Sequence, residues 1–145
     1  MSAAKARPAE AGETPHRVIQ PAGWAKPIGY ANGMEARGRT VFAGGQIGWN
    51  AQCRFESHDL PGQVLQTLEN IVAVLAEADA RPEHVTTMTW FVTDRKEYSR
   101  SLKEIGRAWK ATMGRHYPAM AVVEVSGLVE DEALVEIQAT AVIPD

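Results

Sequence analysis

The strongest constraint on this chain's fold is the alternation near its C-terminal end. Ala133, Val135, Ile137, Ala139, Ala141 and Ile143 recur at every second position, with Leu134, Glu136, Gln138 and Thr140 between them. Successive side chains of a strand point to opposite faces, so the segment predicts a strand with one core-facing side. Its other side carries a carboxylate and an amide mid-strand, where a sheet usually holds apolar or β-branched residues. Glu136 is therefore expected either on a solvated sheet face or in a polar pocket. Tyr117 to Leu128, just upstream, reads as the preceding strand.

One core of this kind is what 145 residues can build. Residues 1–17 are rich in Ala, Pro and Glu and have no apolar stretch of signal-peptide type, so they read as a disordered extension. Residues 18–145 then form a single domain. At 45% hydrophobic and 23% charged, the chain has no apolar run approaching a membrane span. A net charge of −3, with Lys and Arg scattered among acids, argues against a nucleic-acid partner. The single cysteine, Cys53, excludes an intrachain disulfide and a multi-cysteine metal site, and fits a reducing cytoplasm. The four histidines match no metal-ligand spacing.

Val18 to Pro21 is a candidate short edge strand, followed by a Gly- and Pro-punctuated loop from Gly23 to Gly33. Met34–Ala36 and Thr40–Ala43 read as a hairpin turning at Arg37-Gly38-Arg39. Gly44 and Gly45 close the second strand. Two adjacent glycines there suggest a bulge or a close backbone approach to a ligand or another chain. Leu60, Val64, Leu68, Ile71, Leu75 and Ala78 then step by four and three, an amphipathic helix with Asp59 as N-cap. Val85–Val92 is β-branched and aromatic, hence a strand. Tyr98, Leu102, Ile105, Trp109 and Met113 give a second helix ending near Gly114.

The expected fold is α+β in the order β-β-α-β-α-β-β, a single sheet with two helices on one face. Two helices cover only one side of such a sheet. The other side would expose Trp90 or Phe91, and Val122 or Val123, so a homo-oligomer is expected.

Several segments resemble the RidA family, also called YjgF or endoribonuclease L-PSP: Gly45-Gln46 after a strand, Leu68-Glu69-Asn70, Phe91-Val92-Thr93-Asp94, Pro118-Ala119 and Glu124-Val125. The resemblance runs from about Gly29 to Val142. It implies a chorismate-mutase-like fold, a homotrimer with a central barrel, and ligand clefts between neighbouring chains. It also implies a cofactor-free imine and enamine deaminase. Glu136 would be the catalytic residue that positions the attacking water. Tyr30, the Gly44-Gly45-Gln46 turn, residue 120 and Val122 would line the substrate cleft.

Three polar contacts depart from the family pattern. Gly44 replaces a serine, Met120 replaces the arginine that grips a substrate carboxylate, and the asparagine of the family's second helix falls near Leu102 or Lys103. A charge-assisted guanidinium–carboxylate pair contributes about 1.5–3 kcal/mol, which a thioether does not supply. The expected substrate is therefore neutral or cationic at that end, or apolar enough to pack on Met120. Arg115, Lys103 or another subunit's cation would be the replacements for the lost charge.

The bland alternatives are a solvated Glu136, a core-packed Tyr30, glycines kept for backbone geometry, a surface His116, and tryptophans that anchor the core. Trp49, just after the glycines, could line the cleft. In function classes, these features fit a small-molecule hydrolase acting on C=N bonds, or a non-catalytic ligand-binding trimer. A ribonuclease or translation inhibitor fits least.

Overall fold

In the computed structural model, residues 14–145 are described. Two sheets and three helices follow one another along the chain: β1 (Arg17–Ile19), β2 (Gly33–Glu35), β3 (Arg39–Ile47), α1 (Leu60–Ala76), a 3-10 turn (Pro82–His84), β4 (Val85–Val92), α2 (Arg95–Arg100), α3 (Leu102–Met113), β5 (Ala119–Glu124) and β6 (Val135–Ile143). The main sheet has the order β3-β6-β4-β5, with β6 antiparallel to both neighbours and β5 parallel to β4. A parallel pair needs a long crossover, and α2 and α3 supply it.

The alternation of the last strand is what the burial follows. Ala133, Val135, Ile137, Ala139 and Ala141 are all buried, and β6 lies at the centre of the sheet. Beneath them α1 lays down Leu60, Val64, Leu68, Ile71 and Leu75, and α3 adds Ile105, Ala108, Trp109 and Met113. Helix α1 starts where expected: Asp59 accepts a hydrogen bond from the Gly62 amide at 2.8 Å, and Pro61 occupies the first turn. Gln63 is fully buried and clips this helix to the segment before β6. Its amide donates to the carbonyls of Ser57 and Glu132, and its oxygen accepts from the Leu134 N–H at 2.8 Å.

The expected architecture holds as a mixed α+β domain, with three corrections. First, the sheet is not single. β2 pairs with β1, not with β3, and Arg17 opposite Glu35 adds an ion pair at 3.4 Å. Gly38 lies between the two strands: it has φ +147° and passes so close to β6 that a side chain would run into the Ile143 carbonyl, next to the Arg39–Ile143 pair that begins the β3–β6 ladder. Second, the second helix is broken. Ser101, at φ −103° and ψ 10°, separates α2 from α3, although Tyr98 and Leu102 keep helical spacing across it. Third, the first helix stops at Ala76, so Ala78 falls in the turn beyond it.

Of the expected N-terminal extension, residues 1–13 lie outside the described residues, whereas 14–17 join the fold. The Thr14 hydroxyl donates to the Glu83 carbonyl, and the His16 ring bonds the His84 carbonyl at 3.0 Å.

The sheet face opposite the helices is uncovered. Phe42 is 76% exposed there, Val123 is also exposed, and Phe91 is half-buried. Trp90 and Val122 are the residues of each pair that turn inward.

Candidate functional site

The six residues implicated by the sequence fall into two groups, on opposite faces of the sheet. Tyr30, Met120 and Val122 form the first group. Met120 lies beside Met88, and Val122 beside Trp90, in the parallel β4–β5 register. Met88 and Trp90 are core residues, so the two β5 side chains share the helix-facing side. The loop carrying Tyr30 runs along the free edge of β5, held by the Ala31 N–H donating to the Pro118 carbonyl at 3.0 Å. Tyr30, 43% exposed, thus stands at the mouth of a cleft of about 480 Å³.

The cleft's walls are aromatic and aliphatic. Trp90 and Trp109 have ring centroids 6.2 Å apart, and Trp109 stacks on Tyr117 at 5.8 Å with 9° between the planes. Tyr98 meets Trp90 edge-on at 6.3 Å. One face of α3 closes the cleft with Leu102, Ile105, Gly106 and Trp109, at the i, i+3, i+4, i+7 spacing of a helix stripe. Burial pushes the Tyr98 phenol above its ordinary range and keeps it neutral. The cation at this cleft is Lys110, not Lys103, while Arg115 lies in a neighbouring hollow with Tyr30 and His116.

Gly44, Gly45 and Glu136 form the second group, on the uncovered face. Ala43 opposes Ala139 and Gln46 opposes Ile137, so β3 carries one extra residue across from β6, a β-bulge made by the two glycines. Of the readings open for this pair, the bulge is the one the structure contains. It also makes room for the acid. A Cβ on Gly45 would sit 2.6 Å from Glu136 Oε2 and 2.9 Å from its Cδ. The half-buried Glu136 lies on the face opposite buried Val135 and Ile137, packed over the bare backbone of Gly45. Among the described residues its carboxylate has no hydrogen-bond or ion-pair partner. Gly44 lines a shallow hollow on the same face with Phe42, Thr87 and Gln138.

Other candidates have partners within the chain. Trp49 packs on Phe55 at 5.9 Å and stays away from the aromatic cleft. Asn70, noted only as part of a motif, fastens the loop after β3 by donating to the carbonyls of Ile47 and Trp49. Glu124 accepts the Arg95 N–H at 2.8 Å, so it pairs with backbone at the start of α2, not with a basic side chain. His116 is buried, which corrects the surface assignment, and bonds the Val85 carbonyl at 2.6 Å. Burial lowers its pKa, and likewise that of His84, whose Nδ1 accepts the Arg81 N–H. Among the described residues, no group of three or more His, Cys, Asp or Glu side chains is placed to hold a metal ion, and no helix is long and apolar enough to cross a membrane.

Residues that sequence reasoning missed are Trp90, Trp109, Tyr117 and Gly106. They come from β4, α3 and the β5 approach, and the spacing of each element signalled only core packing.

Comparison with known proteins bears on the family. Residues 25–143 match the family model described as endoribonuclease L-PSP. A RutC family protein of Haemophilus influenzae is 32% identical over 105 residues, 72% of this chain and 80% of that protein. Another from Synechocystis is 32% identical over 135 residues, covering 88% and 97%. The 2-iminobutanoate/2-iminopropanoate deaminase of Salmonella typhimurium is 28% identical over 116 residues, covering 78% and 86%. Among solved structures, a Rid-family protein of unknown function from Yersinia pestis superposes with a TM-score of 0.79 at 31% identity, covering 88% of this chain and 98% of that one. The YjgF gene product of Escherichia coli gives 0.62 at 27%, covering 78% and 87%. With its element order, its Gly-Gly bulge under a strand carboxylate and these matches, the chain belongs to the RidA/YjgF (endoribonuclease L-PSP) family.

Proposed function

We propose that this protein is a hydrolase of reactive C=N metabolites, an imine or enamine deaminase whose site is assembled between neighbouring subunits of a homotrimer. The observation that carries the reading is the carboxylate of Glu136, without a hydrogen-bond or ion-pair partner among the described residues and held over the bare backbone of Gly45 on the uncovered sheet face. The deaminase name of the Salmonella relative supports the reaction class. The division of the site supports the assembly. Glu136 and the aromatic cleft lie on opposite faces of one sheet, so a substrate can touch both only where two chains meet. The exposed Phe42 and Val123 are apolar surface that such a contact would bury.

In this reading, a water held by Glu136 attacks the C=N carbon. The carboxylate accepts the water's proton and passes it to the nitrogen, giving a neutral carbinolamine. It then takes the hydroxyl proton and delivers it to the departing nitrogen as the carbinolamine collapses to a carbonyl compound and ammonia. Tyr30, Met120 and Val122 hold the rest of the substrate in a near-attack position. With Met120 in place of a guanidinium, nothing at that position recognises a carboxylate, so 2-aminoacrylate and its relatives are poor substrates.

The test follows ammonia release from freshly generated imines, with and without carboxylates, for wild type, Glu136→Gln and Met120→Arg. The expected outcome is turnover of an uncharged imine by wild type, loss of at least about 100-fold in Glu136→Gln, and a gain on carboxylated imines in Met120→Arg. Turnover untouched by Glu136→Gln would overturn the assignment of the acid. A second reading, a trimer that binds ligand without turnover, is favoured by the absent arginine, and it predicts binding in the same cleft with no ammonia released from any imine.

A further inference from the structure

The cleft on the helix side is larger and more aromatic than a three- or four-carbon imine requires, and its construction bears on what fills it. We propose that it is a ring-binding subsite, and that the substrate class is a neutral aromatic imine, an arylalkyl imine without a carboxylate. The inference rests on the hydrolase reading above for its chemistry, but on separate residues for its selectivity.

Three observations carry it. The first is Gly106, in the interior of α3 and on the stripe that faces the cleft. Glycine inside a helix destabilises it by roughly 0.5–1 kcal/mol relative to alanine. No close packing demands it here, since an added Cβ would meet nothing within 4 Å. The missing side chain leaves open volume next to Trp109. The second is the wall itself. Trp90, Trp109 and Tyr117 form a run of ring contacts at 6.2 and 5.8 Å, and a planar aromatic guest extends such an array through offset or edge contacts. The third is the Nε1–H of Trp90. Trp90 is 2% exposed and lines the cleft, yet its indole nitrogen is the buried side-chain polar atom without a hydrogen-bond partner among the described residues. Buried donors are nearly always paired, so an acceptor atom on a guest that repacks this wall would complete the site. Met120 and neutral Tyr98 add no charge, and Lys110, the cation that lines the cleft, is exposed to solvent, which leaves the interior suited to an uncharged ring.

The balanced step is R–CH=NH + H2O → R–CHO + NH3, with R an arylalkyl group. A carbon–oxygen bond forms as the C=N π pair moves to nitrogen. The carbon–nitrogen bond then breaks, and nothing is oxidised or reduced.

Two arms test the proposal on the full chain. In the binding arm, calorimetry compares phenylacetamide, a stable neutral stand-in for the aromatic imine, with acetamide. Phenylacetamide is expected to bind at least about tenfold tighter, and Gly106→Leu to weaken it by at least about tenfold while holding or raising Tm. Leu102→Trp, at a position 53% exposed at the cleft mouth, closes the same space without burdening the fold, and it decides the matter if Gly106→Leu does not fold. Equal binding of the two amides, or phenylacetamide binding unchanged by Leu102→Trp, overturns the subsite. In the turnover arm, imines made by an amine oxidase from 2-phenylethylamine and from propylamine are followed by semicarbazide trapping. Faster removal of the aromatic imine, lost in Leu102→Trp, supports the proposal. If phenylacetamide binds as described but neither imine is removed, the hydrolase reading falls and the ring subsite stands. If both imines are removed equally and Leu102→Trp changes neither, the subsite falls and the hydrolase reading stands.

Discussion

Gly45→Ala is the smallest change that separates the position of the Glu136 carboxylate from its chemistry. The new Cβ would lie 2.6 Å from Glu136 Oε2, 2.9 Å from Cδ and 3.1 Å from Cγ, against 3.4 Å for the start of ordinary contact. The carboxylate must therefore swing by ~1 Å, and a misplacement of that size costs about 100-fold in rate when it falls on a reacting group. Stability responds differently. The obstacle is the free end of a flexible side chain, and replacing Gly by Ala at a compatible strand position reduces the entropy of the unfolded chain by about 0.4–1 kcal/mol. Folding stability is expected to change by less than about 1 kcal/mol, or roughly 2–4 °C in Tm. The assay pairs imine turnover with a thermal melt. Gly127→Ala, outside the bulge, is the matched control, because a Cβ there meets nothing within 4 Å, and it should leave both readings near wild type. A Gly45→Ala protein with wild-type turnover would refute the claim that Glu136 acts from over the bulge. One that unfolds would refute the claim that its carboxylate is free to move.

Two further predictions concern the scaffold. Gln63→Leu removes the amide that ties α1 to the Glu132 carbonyl and the Leu134 N–H. With those groups left unpaired it should destabilise by about 2–4 kcal/mol, measured by denaturant unfolding. His84 and His116 have pKa values lowered by burial, so the unfolded chain binds more protons than the folded one in mild acid. Their contribution is complete above the unfolded histidine value of about 6.5 and is lost as pH falls below it. Stability should therefore drop between neutral and mildly acidic pH, and His116→Gln should flatten that slope. An unchanged slope would show that His116 is not the group titrating.

What could be read in the sequence was whatever depends on spacing within one element. The alternation of Ala133 to Ala141 predicted which β6 face is buried, and Asp59 with the Leu60–Leu75 stripe predicted α1. The break at Ser101 was hidden because Tyr98 and Leu102 remain four apart on either side of it, while the Ser101 N–H donates back to the Glu97 and Tyr98 carbonyls. The pairing of β2 with β1 and the close approach of Gly38 to Ile143, more than a hundred residues away along the chain, are long-range contacts that no local pattern records. The candidate site was legible by resemblance in its named positions, but not in its division between two faces. The aromatic cleft was not legible, since Trp90, Trp109 and Tyr117 converge from different elements and each reads locally as a core residue.

The central claim, that each site takes Glu136 from one chain and the cleft from its neighbour, is tested most directly by subunit complementation. Glu136→Gln and Leu102→Trp chains are co-expressed with different tags, mixed assemblies carrying both tags are isolated, and imine turnover is measured beside each parent. With the aromatic imine as substrate, both parents should be inactive, and the mixed assemblies should recover about a third of the wild-type rate, because a closed ring of three chains that holds both variants has one interface in three joining an intact Glu136 to an intact cleft. Mixed assemblies no more active than the parents would contradict the account.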